Sequence, residues 1–164
     1  MNLALSLLAF SLIVSACGNL SPYAAHTGRE IKTLSSSDIN ALKNGAGMSY
    51  ALAAELNQYP GPMHVLELAK DMELSTEQVR ATEQLLLTHK VEARVLGIEL
   101  IEAERQLNEL FATKQATDAS VRQQTEKVAL VQAKLRASHL VTHVKQTALL
   151  SKDQIARYQT IRGY

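Results

Sequence analysis

Residues 75–112 read STEQVRATEQLLLTHKVEARVLGIELIEAERQLNELFA, and this stretch decides the fold. It contains no proline, and its one glycine is Gly97. Ala, Leu, Glu, Gln and Arg dominate it, residues that lose little rotamer freedom in a helix. Ser75 suits an N-cap, and Gln78 stands at the third helical position of a capping box. From there a seam alternates steps of three and four: Val79, Thr82, Leu86, His89, Ala93, Leu96, Leu100, Ala103, Leu107, Leu110. That spacing belongs to a helix packed along its length on another helix.

Working outward, residues 113–118 (TKQATD) form a turn, with Thr117 or Asp118 capping a return helix from about Ala119 to Leu149. Its seam reads Val121, Val128, Val131 and Leu135, then turns polar at Ser138 and Thr142. The apolar set moves sideways there, to Ala137, Leu140, Val141, Val144 and Ala148. Each arm is roughly 45–55 Å long at 1.5 Å per residue. A short last helix starts at Ser151 and ends near Arg162. Upstream, Tyr59-Pro60-Gly61-Pro62 is a stop, and Pro62 suits the first turn of a short helix carrying Met63, His64, Leu66, Glu67 and Leu68. Residues 38–59 carry Ile39, Leu42, Met48, Ala51, Leu52 and Leu56 at helical spacing, interrupted by Gly45 and Gly47. The expectation is an all-α fold: a long antiparallel helical hairpin with short N- and C-terminal helices, one domain over 38–164. Leu85, Ile98, Ile101, Leu130 and Leu140 lie beside the seam. The N-terminal helices, a ligand or a second subunit must cover them, and a homodimer is expected. Gly97 marks a kink or a close helix approach.

The composition narrows the function. The chain has 164 residues, 17 Lys+Arg against 16 Asp+Glu, and a formal net charge of +1. That near-balance argues against nucleic-acid binding through a basic field. Aromatics are 4% with no Trp, too few for a stacking platform. One Cys excludes an internal disulfide and a multi-Cys zinc knuckle. No Gly-rich phosphate loop, HExxH or Ser-His-Asp context occurs, and a bare hairpin encloses no pocket, so an enzyme is not expected.

Residues 1–28 carry no Asp, Glu, Lys or Arg, and Leu3 to Ala16 is an almost unbroken apolar run, too short for a mature membrane span. It reads as a secretory signal over residues 1–16. The run ends Val14-Ser15-Ala16-Cys17, which resembles a bacterial lipobox. Lipidation of Cys17 is therefore expected, with residues 17–37 as a tether. By Gram-negative sorting rules, Gly18 after the Cys implies a periplasmic protein anchored by lipid in the outer membrane. Multiple acyl chains make such an anchor stable.

Two helix starts share one pattern: Leu74-Ser75-Thr76-Glu77-Gln78 and Leu150-Ser151-Lys152-Asp153-Gln154. In each a Leu enters the core, a Ser caps, and an acid meets the positive end of the helix dipole. Over about residues 60–161 the chain resembles the Spy/CpxP family of periplasmic proteins, which carry two Leu-Thr-x-x-Gln motifs. Ser replaces Thr here and keeps the hydroxyl cap. The resemblance implies a hooked four-helix hairpin, usually dimeric. Family members include ATP-independent chaperones, envelope-stress adaptors, zinc-resistance proteins and nickel/cobalt sensors. Residues 54–62 (AELNQYPGP) and the ending Ala156-Arg157-Tyr158…Arg162-Gly163-Tyr164 look like the periplasmic heavy-metal sensor subgroup. Its implied partners are an anti-sigma factor or a sensor kinase in the membrane, or, for a chaperone, unfolded proteins. The near-neutral charge departs from the basic concave face of the chaperone members.

Four of the five histidines are candidates for metal. His139 and His143 are four apart on one helix face. If Leu110 faces Val121 across the turn, His89 falls opposite Thr142, level with that pair. A fourth ligand could be His64, Glu67, Glu92 or water. Zinc, nickel, cobalt and copper all accept imidazole. The resemblance implies a His-x3-Met pair plus ligands from the N-terminal helix. Here the pair is His-x3-His, His64 stands near the N-terminal position, and Leu68 replaces the second His expected there. The alternative is that His64 and His89 only hydrogen-bond between helices, with Ser138 or Thr142 as partners of His89, and that His139 and His143 lie on the surface.

Overall fold

The computed structural model describes residues 21–164, so the expected signal segment and Cys17 lie outside the described residues. A single 3-10 turn at Ala24–His26 leads to six α-helices: α1 Ser36–Lys43, α2 Leu52–Glu55, α3 Pro62–Glu67, α4 Thr76–Ala112, α5 Asp118–Thr147 and α6 Lys152–Arg162. No strand occurs among the described residues. None of their helices is long and apolar enough to cross a membrane.

Local chemistry explains the helix starts. Ser75, Thr117 and Ser151 each accept a hydrogen bond from the backbone N–H three residues on, and the residue there returns one. Ser35 does the same with Asp38 at the start of α1. Gly45, at φ +61°, ends the α1 turn where a side chain would be strained. α4 and α5 form the expected antiparallel hairpin.

The hairpin register differs from expectation. Pairing Leu110 with Val121 would set His89 against Thr142. Instead, His89 meets Ser138 and His139, and Gln146 donates to Thr82 at 3.1 Å. Gln124 reaches the Ala103 carbonyl at 2.8 Å. The pairing is symmetric about Lys114, whose φ of +60° reverses the chain. The observed pairing is offset from the expected one by about one helical turn.

Within the stretch expected as a tether, residues 31–33 contact the hairpin. Ile31 is fully buried, Lys32 N–H donates to Asn108 and Thr33 to Glu104. Ile31 and Leu42 join Ala93, Leu100, Ile101, Ala103, Val128, Val131 and Leu135 in the main core. The N-terminal layer thus covers Ile101. Ile98 and Leu130 stay 56% and 57% exposed. Gly97 is a close approach: a Cβ there would stand 2.3 Å from the Leu42 carbonyl oxygen.

A second core, Val65, Met72 and Tyr158, joins α3 to α6, with the motif residues Leu74 and Leu150 packed on it. Both motif glutamines lie beside it and bond to each other.

Candidate functional site

Beyond Leu135 the hairpin is inverted. Ser138, His139, Thr142 and Gln146 are buried on α5, facing Thr82 and His89 of α4. The apolar residues Val141 and Val144 face outward. A polar interior of this kind costs free energy unless its groups are paired. Most are. Ser138 donates to Glu92 at 2.9 Å, Thr142 to the Ser138 carbonyl, and Gln146 to Thr82.

The N-terminal layer turns this polar end of the hairpin into a cleft of about 490 Å³. Its walls include the 44–49 loop, Leu52, Glu55, Met63, Leu86 and Lys90, together with His64, His89, His139 and His143. The expectation of no pocket concerned the bare hairpin, and the cleft is built with residues outside it. The hairpin alone has none, but α1 to α3 supply the missing wall.

His89 Nε2 and His139 Nδ1 are 3.0 Å apart, with the rings edge to face. His89 Nδ1 lies 3.3 Å from Ser138 Oγ. Tyr50 stacks on the other ring, 5.6 Å from the His139 centroid. His139 is only 4% exposed, and its Nε2 is buried without a hydrogen-bond partner. Burial, with His89 and His143 nearby, pushes the His139 pKa down to about 4. Burial also lowers that of His89, against the pull of Glu92. Both rings are neutral near pH 7. Met48 and Ser49 hold left-handed backbone in the loop that presents Tyr50.

His143 Nδ1 donates to the Tyr59 carbonyl at 2.7 Å and lies 3.5 Å from Glu55. His64 Nδ1 sits 2.8 Å from Glu67 on the same helix turn. All four candidate histidines therefore line one cleft, but only His89 and His139 bond to each other. Neither His139 nor His143 lies on the surface. Among the described residues, no group of three or more His, Cys, Asp or Glu stands ready to hold a metal ion. The donors nonetheless suit one chemically: neutral imidazoles, one with an orphaned buried nitrogen.

Sequence reasoning missed Tyr50 and Glu55. Glu55 is buried, accepts from Tyr158 and Tyr164 and from the Gly61 N–H, and lies 4.0 Å from Arg162. The visible signal was a lone acid in a short run of small and apolar residues, LAAEL. Comparison of the chain with family models, with curated proteins and with solved structures returns no match.

Proposed function

We propose that this chain is an exported, membrane-tethered, metal-binding sensor or resistance protein of an envelope stress response. One observation supports this reading: four of the five histidines, drawn from α3, α4 and α5, line a single cleft. His139 and His143 would hold a zinc, nickel, cobalt or copper ion there, with His64 or water completing the set. Such an ion would link α3 to α5 across the cleft, the kind of local change a signalling partner in the membrane could read. The expected assembly is a homodimer on a lipid anchor at Cys17.

Calorimetric titration with each of the four metals tests this, beside a His139→Ala/His143→Ala double variant. Stoichiometric binding lost in the variant supports the reading. Equal heats from both proteins would sink it.

A second reading, chaperone or kinase adaptor, has its own support. Leu87, Val91, Val95 and Ile98 follow each other at helical spacing on α4, all more than half exposed. Leu130, Val141 and Val144 are likewise exposed on α5. Bare apolar rows of this kind serve protein contacts. Suppression of a client's aggregation, lost on Val91→Lys, would favour it.

A further inference from the structure

We propose that the cleft histidines divide their labour: His139 and His143 keep an unshared Nε2 lone pair for a divalent transition-metal ion, whereas His89 binds no metal and holds His139 in the form that can. This deepens the metal reading above and rests on it.

Hydrogen-bond polarity fixes the division, starting from Glu92. A carboxylate has lone pairs and no hydrogen to give. Ser138 Oγ, 2.9 Å from Glu92 Oε2, must therefore point its hydrogen at Glu92. A hydroxyl has only one hydrogen, so toward His89 Nδ1 the same oxygen accepts. Neutral His89 then carries its hydrogen on Nδ1 and a lone pair on Nε2. That nitrogen lies 3.0 Å from His139 Nδ1. Two lone pairs do not face each other at hydrogen-bond distance, so His139 Nδ1–H donates. The lone pair of His139 is left on Nε2, the buried atom with no partner.

The His143 ring is polarised alike by a different acceptor. The Tyr59 carbonyl can only accept, so His143 carries its hydrogen on Nδ1 and its lone pair on Nε2. A ring that donates one N–H to a carboxylate, carbonyl or similar acceptor has its orientation set and its other nitrogen made more basic, as metal-ligating histidines require. His89 alone spends both nitrogens inside the protein. It is a positioning residue, and Glu92 and Ser138 stand behind it.

The test reads the hydrogens directly. In metal-free protein labelled with 15N-histidine, two-bond 1H–15N spectra near neutral pH show which ring nitrogen is protonated. Single His→Gln variants assign the signals. His89, His139 and His143 are expected as Nδ1–H forms, and an Nε2–H signal from His89 or His139 overturns the proposal. Ser138→Ala is expected to mix the forms of His89 and His139 while His143 keeps its own. Unchanged His89 and His139 signals in that variant would also overturn it. Zinc and nickel titrations then separate ligand from positioner. His139→Gln is expected to weaken binding by about 100-fold or more, and His89→Leu by roughly 10–100-fold. His89→Gln, whose amide oxygen still accepts from His139, is expected to recover most of the His89→Leu loss. Equal loss in His89→Gln and His139→Gln makes His89 a ligand and overturns the division. If the unmodified protein binds neither ion, the metal reading fails and the ligand half of the proposal with it. The spectra then decide by themselves whether His89 is the group that orients His139.

Discussion

The side-chain amides of Gln78 and Gln154, 76 residues apart, hydrogen-bond each other in both directions at 2.8 and 2.9 Å. Each amide oxygen also accepts from the backbone N–H of its own N-cap serine. Gln78 donates further to the Leu149 carbonyl. The two Leu-Ser-x-acid-Gln motifs are thus halves of one clasp that holds the start of α4 against the start of α6. Removing either amide breaks the pair and leaves the N–H of its own N-cap serine without its acceptor. Gln78→Ala and Gln154→Ala are each expected to cost about 1–3 kcal/mol. Because they share one interaction, the double variant should cost less than the two singles combined, which urea unfolding of all four proteins will show.

At Gly97 the backbone of α4 touches the end of α1, and a Cβ has no room beside the Leu42 carbonyl. Backbone on both sides leaves nothing flexible to yield. Gly97→Ala gains helix propensity of roughly 1 kcal/mol, but overpacking of about 1–3 kcal/mol or more outweighs it. A net loss of stability is expected in urea melts, with α1 amides losing hydrogen-exchange protection first.

Stability should depend on pH through His139. Its folded pKa of about 4 lies below the ordinary 6.5, so the unfolded chain takes up a proton first as pH falls. Above 6.5 neither state is protonated and this ring costs nothing. Between 6.5 and 4 stability falls with pH, by about 3 kcal/mol in all from this group. His139→Gln should show a flatter stability profile across that window. Parallel profiles for the two proteins would contradict the burial argument.

Glu55 ties the C-terminal helix to α2. It accepts hydrogen bonds from Tyr158 and Tyr164, and burial together with this carboxylate pushes the Tyr158 pKa upward. Tyr158→Phe removes one donor and leaves the ring, so a loss of about 1–2 kcal/mol is expected. Glu55→Ala removes the shared acceptor and should free α6, seen as faster amide exchange over Lys152–Arg162 while the centre of α4 stays protected.

Much of the fold was legible residue by residue. Ser75, Thr117 and Ser151 announce helix starts because a cap bonds to a backbone only three residues away. Gly97 announced a kink or a close approach, because a lone glycine in a strong helix has few other uses, and the structure shows the close approach. The site was legible only in its parts. His64, His89, His139 and His143 were visible as candidates, but their grouping hung on a hairpin register that seam spacing leaves free by a turn. Tyr50 stayed hidden because nothing within a few residues marks it as a packing partner of His139, and Glu55 had only its small and apolar neighbours to mark it.

By itself, the sequence determined the all-helical class, the hairpin and the two matched helix starts, since each rests on propensity and on bonds within one helical turn. Only the tertiary structure decided that His89 pairs with His139, that the N-terminal layer closes a cleft over the polar stretch of α5, and that Ile31 enters the core. These depend on how the turn around Lys114 offsets two long helices, and on which surface the N-terminal layer chooses to cover. The His89–His139 and Lys32–Asn108 contacts that follow join residues 50 and 76 positions apart, and the free energy that selects them comes from the whole packed arrangement, not from any local stretch.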